Sequence, residues 1–174
     1  CPESRGLGDV YKRQTSSDPD IYDHRNIHCD VLVVGAGISG ILAAKNAAKN
    51  NFKTLLVDEK NELGGSTIFE NNEFNKIDNK TPSEWLKKEI EELKNIKNLE
   101  IKTRTSVAAY HQYNYLLARE NLTDHLEAKD KTNKIRQRLL KIRAKKVILA
   151  TGALERPLIL SLIHISEPTR LWTI

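Results

Sequence analysis

The clearest hydrophobic signal is the unbroken aliphatic run Val-Leu-Val-Val at residues 31–34, which stops at a glycine. A β-branched, aliphatic run of this length predicts a strand buried on both faces of a parallel sheet. Beyond Gly40, "ILAAKNAAK" has good helix formers, with Ile41, Ala44 and Ala48 at helical spacing, and "KTLLVD" then reads as a second strand. These three segments predict a βαβ unit with a right-handed crossover. Further on, "TPSEWLKKEIEELKNIKN" carries a helix start signal, with Thr81 as N-cap, Pro82 at the first helical position and Glu84 closing a capping box. Leu86, Ile90 and Leu93 form its apolar stripe.

The second half of the chain changes period. "NLEIKTRTSV" alternates, with Leu99, Ile101, Thr103 and Thr105 in phase, and predicts one further strand. "VAAYHQYNYLLARE" predicts a hairpin turning at residues 112–114, "IRQRLLKIR" another hairpin-like strand, and residues 147–150 a final buried strand. The polar "NLTDHLEAKDKTNK" between them reads as a solvated connection. The expected fold class is therefore α/β: a parallel sheet with an inserted antiparallel β-meander before the last parallel strand.

Two six-residue strings qualify the ends. "DVYKRQ" at residues 9–14 can be encoded by GAT GTG TAT AAG AGA CAG, whose reverse complement, CTG TCT CTT ATA CAC ATC, encodes "LSLIHI", residues 160–165. Agreement over all six codons points to a translated inverted-repeat library adaptor rather than coincidence. Residues 1–14 and 160–174 are accordingly expected to be adaptor-derived, with residues 15–159 as the native segment, a truncated domain. Cys1, His164 and Trp172 leave the list of functional candidates on this ground. The chain contains no methionine, which also reads as a piece of a longer frame.

Composition narrows the field modestly. A share of 39% hydrophobic and 29% charged residues suits a soluble globular domain. The 28 Lys and Arg exceed the 23 Asp and Glu, but Lys, Asn and Ile are all abundant, as AT-rich codons favour, and no basic stripe with interleaved aromatics stands out. Nucleic acid is not expected as a partner, nor is a membrane, since no apolar stretch nears the roughly 20 residues a spanning helix needs. With only Cys1 and Cys29, there is no disulfide framework and no CxxC pair, which fits a reducing cytoplasm.

The chemistry concentrates at "GAGISG", which places Gly35, Gly37 and Gly40 between a predicted strand and a predicted helix. Gly35 permits the tight turn, Gly37 admits a pyrophosphate to the backbone, and Gly40 lets helix and strand pack closely. The helix N-terminus offers unpaired N–H groups and a positive dipole end to phosphates. About 20 residues further on stands Asp58, where a carboxylate can accept both ribose hydroxyls of an adenosine; Glu59 is the adjacent alternative. An acid here disfavours a 2'-phosphate and so favours NAD or FAD over NADP. Read structurally instead, the same residues would be a glycine turn at a βα junction followed by a surface Asp.

Two further segments belong with this motif. "ELGGS" puts Gly65 and Ser66 just past the acidic residue, and "VILATGALERP" delivers Thr151 and Gly152 at the end of the last strand. Alone, Gly152 reads equally well as a strand-ending glycine; beside the first motif, cofactor contact is the preferred reading. His24, His28 and Cys29 lack supporting carboxylates, so no metal site is expected, and no serine, cysteine or histidine stands in a nucleophile motif. Catalytic residues are therefore not assigned.

The order of elements is typical of Rossmann-like FAD/NAD-binding domains. More specifically, "DPDIYDHRNIHCDVLVVGAGISG", "LLVDEKNELGGS", "TRTSVAAYHQYNY" and "RQRLLKIRAKKVILATGALERPLI" resemble the alpha, or large, subunit of heterotetrameric sarcosine oxidases, over residues 18–159. The resemblance implies an oxidoreductase that demethylates sarcosine to glycine, passes the one-carbon unit to tetrahydrofolate and reduces oxygen, with an FMN and a folate site elsewhere in a complex with beta and smaller subunits. It implies dinucleotide contacts from Gly35, Gly37, Gly40 and Asp58, with Glu59, Lys60, Gly65 and Ser66 as neighbours. Val107, at the turn into the hairpin, is implied as a backbone contact to adenine. Alternatives are an FAD-dependent pyridine-nucleotide reductase, the large subunit of another amine or amino-acid dehydrogenase, and a non-catalytic nucleotide-binding module.

Overall fold

A computed structural model describes residues 20–69, 76–126 and 134–153 of the chain. Six strands and two helices follow the order β1 (Ile21–Val34), α1 (Ile38–Lys49), β2 (Thr54–Val57), α2 (Pro82–Lys94), β3 (Leu99–Lys102), β4 (Thr105–His111), β5 (Tyr115–Asn121) and β6 (Ile135–Leu149). They form one sheet ordered β3-β2-β1-β6-β5-β4. The pairs β3-β2, β2-β1 and β1-β6 are parallel, whereas β6-β5 and β5-β4 are antiparallel. The expected parallel core with an antiparallel meander is what forms.

Three expectations are corrected. β1 begins ten residues before residue 31, at Ile21, and runs beside β6 along almost its whole length, from Ile21↔Ile135 to Val34↔Leu149. The polar string "YDHRNIH" hid this strand because none of its residues is buried and only Asp23 and Ile27 are half-buried. The two segments read before and after "RAKK" are likewise one continuous strand, β6, which pairs antiparallel with β5 and parallel with β1. Conversely, "NLEIKTRTSV" is not one strand: β3 ends at Lys102, and a turn through Arg104, at φ 50°, starts β4 at Thr105.

A phase slip lets β1 serve both halves of the sheet. The amides of Asp30 and Val31 both donate to the Lys53 carbonyl, at 2.8 and 3.2 Å. One carbonyl thus serves two successive amides, as at a β-bulge, and the alternation of side chains shifts there. On one face, Cys29, Leu32, Val34, Leu55 and Val57 pack with Leu116, Ala118, Leu140 and Ile142 of the meander. On the other, Val31, Val33 and Leu56 pack with Ile41 and Ala44 of α1 and with Trp85, Leu86 and Leu93 of α2. Ile90 of the predicted stripe is only partly buried, and Trp85 completes the buried side of α2.

α2 is fixed by its N-terminal cap, and a lysine of α1 ties the two helices through two carboxylates. Thr81 and Glu84 form the predicted capping box with Pro82 in the first turn, a feature worth about 1 kcal/mol. Lys45 of α1 reaches Glu89 at 2.6 Å and Glu92 at 2.7 Å on α2. On the meander side, buried Glu120 joins Lys102 of β3 at 3.0 Å to Arg138 of β6 at 3.2 Å, and Arg138 continues to Asp23 of β1 at 2.8 Å. A charge so placed is tolerated because both carboxylate oxygens have cationic partners.

The last strand departs from expectation in burial. Val147 packs partly against the core, but Ile148 and Leu149 are 37% and 60% exposed. β5 accompanies β6 only as far as Arg143, so the end of β6 has a paired strand on one side only.

Candidate functional site

The glycine turn sits where β1, β2 and β6 end together. Gly35 donates to the Val57 carbonyl of β2 at 2.8 Å, and Ala150 donates to the Val34 carbonyl of β1 at 2.8 Å. Gly35 has φ +97°, and a Cβ there would stand 2.4 Å from the Ala150 carbonyl oxygen. No other residue fits that position. A Cβ on Gly40 would lie 1.9 Å from the Gly35 oxygen, so this glycine is what allows α1 to lie against the turn.

Gly37 is different in kind. It is the N-cap of α1, with φ −71°, and a Cβ there would meet nothing within 4 Å. Neither backbone strain nor packing calls for glycine at this point, and the space in front of the helix end is open. No side chain caps α1 and no acidic residue lies in its first turn. The helix N-terminus therefore presents amide donors and positive potential to that space.

The acidic residue and the glycine pair converge on the same turn. Asp58 is 9% exposed; its Oδ2 accepts from the Ala36 amide at 2.6 Å and its Oδ1 from the Lys60 amide at 2.8 Å. Gly64 donates to the Ala36 carbonyl at 2.7 Å, and Gly65, at φ +60°, lies against Gly37, with its would-be Cβ 3.1 Å from the Gly37 Cα. Glu59, Lys60 and Ser66 are exposed around this cluster. Thr151 abuts Gly35 and is exposed, and Gly152 follows at φ +70° with nothing within 4 Å of a would-be Cβ.

Val107 is the third residue of β4, the first strand of the hairpin, paired with Ala118 and half-buried against the core, and the hairpin turns at Gln112–Asn114. β4 starts beside the acidic residue, since Thr105 donates to the Asp58 carbonyl at 2.7 Å and Arg104 to the Lys60 carbonyl at 2.8 Å. The ladder of β4 is irregular between Val107 and Ala109, which leaves the Ala108 backbone out of regular pairing.

Two contributors escape sequence reading. Ala36 serves through its backbone, binding Asp58 with its amide and Gly64 with its carbonyl. Arg104 makes the positive-φ link that returns the chain to β2. A residue acting through its main chain carries no side-chain signature, so neither was visible beforehand.

Other chemistry is not assembled nearby. His28 is exposed and the adjacent Cys29 is buried on the opposite face of β1, so the pair cannot converge on one ion. Burial pushes the Cys29 thiol up to about 11. A cleft of about 400 Å³ is lined by Cys29, Lys53, Thr54 and Leu99 at the opposite end of the parallel strands. No described helix is long and apolar enough to cross a membrane.

Ligands of open parallel sheets sit outside the carboxyl ends of the strands, which is where these residues gather. The chain is 39% identical over 155 residues to the sarcosine oxidase subunit alpha of Corynebacterium sp. (strain P-1), an alignment covering 89% of this chain and 16% of that protein. It is 34% identical over 154 residues to the sarcosine oxidase subunit alpha of Rhizobium meliloti (strain 1021), covering 88% of this chain and 15% of that one. It thus spans about one sixth of the length of these curated relatives. Among solved structures, the L-proline dehydrogenase from P. horikoshii superposes with a TM-score of 0.61 at 24% identity, covering 78% of this chain and 25% of the other, which shows a shared fold. The family model of the pyridine nucleotide-disulphide oxidoreductases matches residues 29–167, from the end of the polar stretch of β1 through the glycine turn and beyond β6. With its Rossmann-like FAD/NAD-binding fold, the chain belongs to the pyridine nucleotide-disulphide oxidoreductase family.

Proposed function

We propose that this chain is the dinucleotide-binding part of the large subunit of an amine-oxidising complex of the sarcosine oxidase type, and that it holds FAD or NAD. The observation that carries the reading is the open space in front of Gly37, at an uncapped helix N-terminus, with the Asp58 carboxylate tied to the same turn. The pyrophosphate would lie on the amides from Gly37 to Gly40, with Gly35 shaping the turn beneath them, and Asp58, with Glu59 and Lys60 beside it, would take the adenosine ribose. Gly65, Ser66, Thr151 and Gly152 would line the dinucleotide, and the Val107 backbone would meet adenine. A dinucleotide held there supplies hydride acceptance, while the chain's own residues bind and orient it.

Asp58 supports an unphosphorylated ribose, because a 2'-phosphate would face a carboxylate. The relatives' name, sarcosine oxidase subunit alpha, supports partner subunits and sarcosine as substrate; we further propose that those partners are a beta and smaller subunits, that the oxidised bond is CH–NH and that the setting is the cytoplasm. FMN and tetrahydrofolate belong elsewhere in that assembly. No acid, base or nucleophile is assigned to this segment, so residues 15–159 alone are proposed to be inactive, with residues 1–14 and 160–174 contributed by adaptor sequence. The disulphide chemistry in the family's name is not proposed, because the sequence has no second cysteine near Cys29.

The test is to purify a full-length subunit carrying this domain, denature it and identify the released nucleotide by mass. FAD or NAD is expected; NADP alone, or no nucleotide, overturns the reading. Sarcosine is distinguished from other amines by steady-state oxidation in the intact complex, and failure to turn over sarcosine would shift the proposal to another amine or amino acid.

A further inference from the structure

The two faces of the meander treat charge in opposite ways. On its inner face every described carboxylate has a cationic partner: Glu120 meets Lys102 and Arg138, and Asp23 meets Arg138. On the outer face the strand register sets Arg119 opposite Leu139, Leu117 opposite Lys141 and Tyr115 opposite Arg143. β1 flanks these rows with His24, Asn26 and His28, and β4 with Ser106, Ala109 and His111. No Asp or Glu occupies any of these positions. Arg119, Lys141 and Arg143 form no ion pair among the described residues.

Carboxylates do border the face, but they are engaged. Asp30 binds Lys145 at 2.7 Å, and Asp124 binds Arg136 at 2.7 Å and Gln137 at 2.8 Å. Three like charges on neighbouring positions of one pleated surface repel one another. A negative surface brought against them would turn that cost into attraction and would set the orientation of docking.

The apolar content of the face selects the kind of partner. Leu139 is 42% exposed between the cations, and Leu117 is partly buried beside it. The Tyr115 ring is already engaged, with the Arg143 guanidinium 5.5 Å from its centroid and the His111 ring 5.9 Å away. A platform for nucleic-acid bases needs free aromatic faces. Leucines among cations instead match the mixed apolar and polar anatomy of a protein interface.

We infer that the outer face of β1, β6, β5 and β4 docks an acidic, apolar-centred surface of another polypeptide chain of the assembly. The inference rests on the reading of this chain as part of one subunit of a hetero-oligomer. The test uses the full-length subunit with its partner chains and compares wild type with the triple variant Arg119→Glu, Lys141→Glu, Arg143→Glu. The dissociation constant for a partner chain is expected to rise by about tenfold or more, and the salt dependence of association to flatten. Carbodiimide coupling of the wild-type complex is expected to join Lys141 to an Asp or Glu of a partner chain. Unchanged affinity, or coupling of Lys141 only within its own chain, overturns the inference, as does loss of RNA binding with partner affinity retained. Dinucleotide content is measured on the same samples: nucleotide present without any partner binding rejects the docking face alone, and partner binding without nucleotide rejects the nucleotide site alone.

Discussion

The Oδ2 atom of Asp58 accepts a hydrogen bond from the Ala36 amide at 2.6 Å, so the acid ending β2 is fastened to the middle of the glycine turn that ends β1. Its second oxygen accepts from Lys60 at 2.8 Å. A carboxylate has about four lone-pair sites, and these two bonds leave room for two hydroxyl donors. Asp58 thus holds the turn in shape and still has acceptor capacity to spare.

Removing that carboxylate acts on both roles. Asp58→Ala is expected to weaken dinucleotide binding to the full-length subunit by about 1–3 kcal/mol, through loss of charge-assisted hydrogen bonds. It also leaves the Ala36 and Lys60 amides without their acceptor, which lowers the melting temperature even without nucleotide. Isothermal titration with FAD and NAD measures the first effect, and unchanged affinity would remove Asp58 from the site.

Gly37 and Gly40 separate binding from folding. A Cβ on Gly40 would strike the Gly35 oxygen at 1.9 Å, a backbone atom that can move only by unseating α1. Gly40→Ala is expected to cost several kcal/mol, on the order of 3 or more, or to abolish folding. Gly37→Ala meets nothing within 4 Å and has an ordinary φ of −71°, so its cost in stability is about 1 kcal/mol or less. Its methyl group would instead occupy the space assigned to pyrophosphate, and nucleotide affinity is expected to fall by about tenfold or more. Thermal melts of the apo-protein beside titration curves give the comparison; equal loss of stability in both variants would count against the assignment.

The legibility of the sequence followed the physics of burial. Residues 31–34 and "TLLV" are buried on both faces and showed themselves as unbroken aliphatic runs. The helix beginning at Pro82 was marked by its capping box, because caps are written in side chains. The polar half of β1 was not legible: its outer face carries His24, Asn26 and His28, and its inner face carries Asp23 beside Arg138. No hydrophobic alternation survives when neither side of the strand is buried and one side carries ion pairs. The break between β3 and β4 was hidden for a different reason, since Thr103 and Arg104 continue the alternation and only the φ of 50° at Arg104 ends it. At the site, the three glycines and Asp58 were legible, whereas the bonds of Ala36 depend on main-chain atoms.

Cys29 offers a probe of the core between the two halves of the sheet. The thiol is buried, and burial pushes it up to about 11, because the thiolate would lose its hydration. At neutral pH the native protein is therefore expected to resist alkylation at Cys29 while the denatured protein reacts freely. Mass spectrometry after iodoacetamide treatment measures this, and native labelling as fast as in denaturant would contradict the packing of Cys29 with Leu32 and Leu140.

The clamp between the helices predicts a pH signature. Lys45 is held above its ordinary value of 10.5 first by its hydrogen bond to Glu89 and then by that to Glu92. Glu92 is held below its ordinary value of 4.5 by the bond from Lys45, with Lys88 and Lys49 adding attraction. A carboxylate with a depressed folded pKa contributes stability above its unfolded value and loses it as pH falls through the folded one. A lysine with a raised folded pKa contributes below its unfolded value and loses that contribution as pH rises through the folded one. The contribution of the pair is therefore flat between these limits and disappears on both sides, first below pH 4.5 and then above pH 10.5. Melting temperatures of wild type and Glu92→Gln, compared in the full-length subunit across this range, are expected to differ by a constant amount near neutrality and to converge in acid. A difference that persists well below the ordinary carboxylate range would show that Glu92 acts through packing and not through its charge on Lys45.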